Sequence, residues 1–308
     1  MLLKIFWNIL TPIFLVASVG WWGRRRLGID SRSLTTAAFY ILTPSLVFDS
    51  LFRIQIAWQD LGRVLGFFLA MVATLLILGV IISRALGWGR AMTSAFILTL
   101  VLVNNGNYGI PLNQFAFGEV GSQLAVLFYT ANAIFANTIG VLIASSGNTD
   151  VRMALKGLLR VPMIYATAAA LLLRALSLEP PLPFMRAVGL LGNAAVPVMM
   201  MILGMQLSSI DATNSLRPAW VATGIRLVLS PLLAIVLSSA LGLEGLVRIV
   251  GIVQWGTPTA VFTAVLASQY DCRPRYVAMV IFTTTLLSVL TMPVLLDQVG
   301  GSHLLAGM

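Results

Sequence analysis

Apolar residues run through this chain in long blocks separated by short polar connections. Ten blocks approach the roughly 20 residues that a helix needs to cross the hydrocarbon core of a bilayer. They cover residues 5–22, 34–51, 64–82, 92–117, 124–143, 161–176, 184–207, 218–241, 246–270 and 276–296. None alternates apolar and polar positions as an outer-membrane barrel strand does, and a backbone in lipid must satisfy its own hydrogen bonds, so each block predicts a helix. The expected class is an all-α membrane protein with about ten transmembrane helices. The first block is preceded by a single lysine, lacks a clear small-x-small cleavage site and is followed by Arg24, Arg25 and Arg26. It reads as a retained helix, not a cleaved signal.

Composition removes the soluble alternative. Of 308 residues, 59% are hydrophobic and 9% charged, too few polar side chains to cover a water-exposed surface. The net charge of +9 lies in the short connections, so it speaks for membrane orientation and not for nucleic acid. Alternate connections place Arg24, Arg25, Arg26, Arg32, Arg84, Arg90, Arg152, Lys156, Arg160, Arg217, Arg273 and Arg275 on one face. Only Lys4, Arg53, Arg63, Arg174, Arg186 and Arg248 fall on the other. The positive-inside rule makes the richer face cytoplasmic, with both termini outside a multi-pass protein of a plasma membrane such as the bacterial inner membrane. One cysteine, Cys272, and one histidine, His303, exclude a disulfide framework, a zinc site and a His-based triad. The chain has neither HExxH nor GxSxG, and neither an enzyme nor a cofactor or metal is expected.

The connection at 145–156, with its run of Ser, Gly, Asn, Thr and Asp, falls near the middle of the chain and leaves five spans on each side. An odd number of helices per half inverts the second half relative to the first, so residues 1–148 and 149–308 are expected as inverted repeats. Two markers agree on nearly one period. Gly109-Ile110-Pro111 recurs as Gly256-Thr257-Pro258 at an offset of 147, and Pro44 has a counterpart in Pro197 at an offset of 153.

The fourth span carries the chemistry. It reads Asn104-Asn105-Gly106-Asn107-Tyr108-Gly109-Ile110-Pro111-Leu112 in the middle of an apolar run. Proline removes a backbone donor and glycine eases departure from helical geometry, so the helix is expected to break near the bilayer midplane. The ninth span repeats the pattern in Gln254, Trp255, Gly256, Thr257, Pro258 and Thr259. Two broken helices would meet there from opposite faces. Each second half-helix, expected to start near its proline, directs about +0.5 of a charge at the centre, and each first half-helix ends there with about −0.5. None of the ten carboxylates falls within either break, which favours an organic anion as ligand. The candidate substrate-binding residues are Asn104, Asn105, Asn107, Tyr108, Pro111, Gln254, Thr257, Pro258 and Thr259.

These two motifs, the second running on into Leu266-Ala267-Ser268-Gln269-Tyr270-Asp271, resemble those of the auxin efflux carrier family, and the likeness spans essentially the whole chain. The resemblance implies a fold like that of bile-acid symporters and sodium/proton antiporters: two inverted five-helix repeats with broken helices four and nine crossing. It also implies that helices 1, 2, 6 and 7 form a scaffold, often dimeric, and that helices 3–5 and 8–10 form a mobile transport domain. Asn107, Pro111 and Pro258 match the family's substrate region. The short central loop departs from the plant members, which points away from auxin and toward a metabolite such as malonate or malate. A homodimer and a coupling ion, H⁺ or Na⁺, follow as expectations.

Two charged residues stand apart. Asp49, four residues before Arg53, either closes a salt bridge or carries a coupling proton. Arg226 lies inside the eighth span, where it either snorkels, faces a cavity or serves as a charge partner for the substrate. The alternatives to an anion carrier are a cation or proton-coupled exchanger of the same fold and a membrane sensor or scaffold that binds without moving its ligand.

Overall fold

The computed structural model describes residues 1–145, 157, 159–208 and 217–304. The polar connection at 145–156 therefore lies outside the described residues save Ser145, as do Arg152 and Lys156. Among the described residues seven helices are long and apolar enough to cross a membrane. They are α1 (Leu2–Leu27), α2 (Ser31–Arg53), α3 (Trp58–Ala85), α5 (Asn105–Ala144), α7 (Leu182–Leu207), α8 (Pro218–Ala240) and α11 (Pro274–Gly300). Shorter helices complete the order: α4 (Arg90–Val101), α6 (Pro162–Ala175), α9 (Gly245–Gly256) and α10 (Phe262–Gln269).

Seven long helices against ten expected spans follow from two interruptions and from the sixth span, 161–176, which forms only the 14-residue helix Pro162–Ala175. The expected span 92–117 is split after Val101, and its second part continues into the next span as α5, with a sharp bend at Gly118. That glycine takes φ 69° and ψ −157°, a conformation reserved for residues without a side chain. The expected span 246–270 is likewise divided into α9 and α10.

The prolines explain much of the local geometry. Five-residue π-helical turns at Phe6–Leu10, Ala38–Leu42, Asn105–Gly109 and Ile225–Leu229 each run directly into a residue followed by proline: Pro12, Pro44, Pro111 and Pro231. Proline lacks an N–H and crowds the carbonyl four residues back; widening the preceding turn relieves both problems without ending the helix.

The helices pack as two sets of neighbours joined through α5, which packs on α2 and α7 as well as on α9. α1 packs chiefly on α7, and α2 on α6 and α7. In the other group α3 packs on α4, α5 on α9, and α8 on α9 and α11. The α1–α7 contact is backbone against backbone: a Cβ at Gly20 would overlap the main chain of Met201, and one at Gly204 the carbonyl of Ala17. Small residues at such crossings supply the close packing that a lipid environment cannot drive by hydrophobicity alone. In the second group Phe67 and Phe128 meet edge to face, with centroids 6.1 Å apart, and Phe68 packs on Trp255 at 5.7 Å.

Candidate functional site

The two interruptions meet. Val103 and Thr259 face each other as a short antiparallel bridge, with Asn104 N–H donating to the Pro258 carbonyl at 2.8 Å and Ala260 N–H donating to the Leu102 carbonyl at 2.9 Å. Every carbonyl freed here needs a donor, because nothing else in a membrane interior supplies one. The Thr259 hydroxyl donates to the Thr99 carbonyl at 2.8 Å, the Asn132 amide to the Val103 carbonyl at 3.1 Å, and the Thr257 hydroxyl to the Gln254 carbonyl at 2.7 Å. Arg226, fully buried, serves three more: Leu100 at 2.7 Å, Thr257 at 3.1 Å and Trp255.

The break in the first half is not where its proline predicted. The second half-helix opens at Asn105, and Pro111 lies inside it, just after the π-helical turn. Proline is tolerated there because the π-helical turn Asn105–Gly109 before it relieves the clash and the missing donor. The second break does contain its proline, Pro258. The two Gly-x-Pro motifs, offset by 147, are consequently not equivalent about the crossing; the bridged pair Val103 and Thr259 is offset by 156.

A cavity of about 190 Å³ opens beside the crossing, well above the roughly 10–15 Å³ that one water requires. One wall comes from α2 and α7, through Thr35, Ala38, Phe39, Thr43, Met199, Ile202 and Gln206. The other comes from residues 102–107, from Tyr129, Asn132, Ala133, Ala136 and Asn137 of α5, and from Ala260, Val261, Phe262 and Val265. The cavity thus lies between α2 and α7 on one side and the crossing with α5 on the other. No carboxylate among the described residues lines it.

Of the predicted residues, the structure brings Asn104, Asn105 and Asn107 to this cavity. Asn105 accepts from Asn132 at 3.0 Å, and its amide N–H donates to the Phe128 carbonyl at 3.4 Å. Asn107 is half-buried and makes no side-chain hydrogen bond among the described residues. Three buried polar atoms of lining residues have no partner among the described residues: the Asn104 amide nitrogen, the Asn132 amide oxygen and the Gln206 amide oxygen. Buried polar atoms without partners are costly unless a ligand or water completes them.

The other predicted residues do different work. Tyr108 points away from the cavity and accepts from the Ser288 hydroxyl at 3.1 Å. Gln254 donates to the Ala125 carbonyl at 3.2 Å; Thr257, Pro258 and Thr259 satisfy or bridge backbone at the crossing; Pro111 lies within α5. None of these six lines the cavity. Asp49 pairs with Arg53 at 2.7 Å and is likewise absent from the lining. Arg226 faces backbone carbonyls, not the cavity. Sequence reasoning missed Tyr129, Asn132, Asn137 and Gln206, although a lone amide inside an apolar span was signal enough to mark the last three.

The electrostatics follow from which helix ends reach the cavity. Asn105, Gly106 and Asn107 open α5, where the first bond back to Asn104 is made only by Gly109 N–H at 2.9 Å. Val261 and Phe262 open α10, whose first bonds are made by Thr263 and Ala264. Residues of both helix N-termini therefore line the cavity, their first backbone donors without a partner among the described residues, while both C-termini, at Leu100 and Trp255, are held by Arg226.

Interrupted membrane helices that meet beside a cavity carrying several amide side chains are the build of a transporter, in which irregular backbone at membrane depth is tolerated because it lines a ligand site. The family model described as "Membrane transport protein" matches residues 5–296. The chain belongs to that family, the auxin efflux carriers. Relatives include an "Uncharacterized transporter" of Methanothermobacter thermautotrophicus, 26% identical over 86% of this chain and 87% of its own length. A second, of Rhizobium meliloti, bears the name "Putative malonate transporter" and is 27% identical over 85% of each chain.

Proposed function

We propose that this protein is a secondary transporter of a small organic anion, a mono- or dicarboxylate of the size of malonate or malate. The observation that carries the reading is the pair of helix N-termini at a cavity without a lining carboxylate. Together the two ends present roughly one positive charge as partial charges, in a setting where no fixed anion opposes a carboxylate. Asn104, Asn107 and Gln206 add neutral hydrogen-bonding groups that orient it. The name of the Rhizobium relative supports malonate as the first substrate to try.

The same reading assigns movement. α1, α2, α6 and α7 form a scaffold, by which two copies associate as a homodimer, and the remaining helices carry the crossing past it. The cavity lies at the boundary of the two groups, where alternating access requires a site. Ten crossings in two inverted five-helix repeats, 1–148 and 149–308, give the crossing its local twofold character; the offsets of 153 for Pro44 and Pro197 and 156 for the bridged pair support that repeat.

The test is uptake of radiolabelled malonate into proteoliposomes. Saturable uptake is expected in the native protein, with a loss of at least about tenfold in Asn107→Ala and an unchanged melting temperature, because that side chain has no partner in the fold. Full activity in Asn107→Ala and in Asn104→Ala would remove the cavity from the mechanism. Binding without flux would identify a sensor instead.

A further inference from the structure

The crossing brings two helix C-termini together as well as two N-termini. Each carries about −0.5 of a charge, so the pair presents roughly −1 in a region without bulk water. Left alone, those carbonyls would form a cage for a small cation. The structure fills the cage from within. Arg226 Nη1 reaches the Leu100 carbonyl of α4 at 2.7 Å, Nε reaches Thr257 at 3.1 Å, and Nη2 reaches Trp255 of α9. The guanidinium also lies 5.6 Å from the centroid of the Trp255 ring. No carboxylate pairs with it among the described residues. Its counter-charge is the peptide dipole of two helices, close to the one unit that the guanidinium supplies. A planar fork of five N–H donors suits divergent carbonyls better than an ammonium does. The π-helical turn Ile225–Leu229, imposed by Pro231, is the local distortion in which this residue sits.

We infer that Arg226 is a tethered counter-cation: it occupies the carbonyl cage an alkali-metal ion would otherwise take, and the carrier works without bound Na⁺ or K⁺. Cancelling the C-terminal dipoles leaves the N-terminal field to dominate the cavity, so the consequence for anion transport rests on the function proposed above. The occupancy of the cage does not. Because the charge is covalently held, it stays with the crossing throughout the cycle and ties α8 to both interrupted helices.

The experiment compares native protein, Arg226→Ala and Arg226→Lys in buffers where NaCl replaces choline chloride at constant ionic strength. The native protein is expected to show no saturable Na⁺-dependent rise in melting temperature and undiminished malonate uptake in Na⁺-free medium. Arg226→Ala should melt lower, lose uptake by at least about tenfold, and recover in both respects with millimolar methylguanidinium, which refills the cage. Arg226→Lys should recover only in part. A saturable Na⁺ stabilisation of the native protein, or a fall of more than about tenfold in its uptake without Na⁺, would overturn the inference. So would an Arg226→Ala variant that melts and transports normally. Should that variant fail to fold, the Na⁺ titration of the native protein decides alone. Native protein that is insensitive to Na⁺ yet moves no malonate would contradict the substrate reading and still support the tethered cation.

Discussion

At the scale of single residues the site is built from close approaches that leave little room for change. A Cβ on Gly106 would lie 2.7 Å from a carbon of the Tyr129 ring, which itself lines the cavity. Gly106→Ala is therefore expected to push that ring into the cavity and lower malonate uptake by at least about tenfold with a smaller effect on melting temperature, since overpacking is relieved into open space. Asn132 behaves differently. Its amide donates to the Val103 carbonyl at 3.1 Å and to the Asn105 side chain at 3.0 Å, so Asn132→Leu strands two buried acceptors. The expected cost is about 1–3 kcal/mol for each stranded group, read as a clear drop in melting temperature. The Asn104, Asn105 and Asn107 cluster was legible in the sequence because three amides within four positions stand out from an apolar run. Asn132 and Asn137, about 25–30 positions further along α5, and Gln206, from α7, reach the same cavity, a convergence that no local pattern encodes. Thr257 and Thr259 stand out by their polarity at membrane depth, and their hydroxyls donate to the Gln254 and Thr99 carbonyls of the broken backbone.

At the scale of elements, proline position and glycine contacts set the geometry. The existence of both interruptions was readable, and so was the second location; the first was displaced because the π-helical turn Asn105–Gly109 lets Pro111 sit inside a continuing helix. The π-helical turn at Ile225–Leu229 was not readable, since it depends on how Pro231 is accommodated within a continuing helix. Pro231→Ala is expected to let α8 become regular, turning Arg226 away from its carbonyls by up to about 100°, the rotation of one residue. Melting temperature and uptake should then both fall, and methylguanidinium should restore part of each. The α1–α7 crossing gives an independent case. Gly20→Leu or Gly204→Leu forces two main chains apart and should destabilise by several kcal/mol, beyond the roughly 1–3 kcal/mol of ordinary overpacking, because backbone atoms cannot move aside as side chains do. Thermal unfolding in detergent measures this, and Gly62→Leu, where a Cβ meets nothing within 4 Å, is the matched control.

At the scale of the whole molecule, hydropathy conveyed class and helix content, while division of the fourth and ninth blocks and the shortness of the sixth, Pro162–Ala175, changed the count of long helices among the described residues from ten to seven. Ten crossings remain the reading that places both termini outside, and epitope tags at each end should be accessible in intact cells without permeabilisation. A tag protected at one end only would require an odd number of crossings. The crossing, with a cavity beside it and its opposite helix ends put to different uses, makes one electrostatic device: N-termini at the cavity, C-termini onto Arg226. The measurement that bears most directly on this device is a structure determined with malonate bound. Carboxylate density within hydrogen-bonding distance of the backbone N–H groups of Asn105–Asn107 or Val261–Phe262 is the expected result. Density for the anion outside that cavity, or a cation within it, would contradict the account.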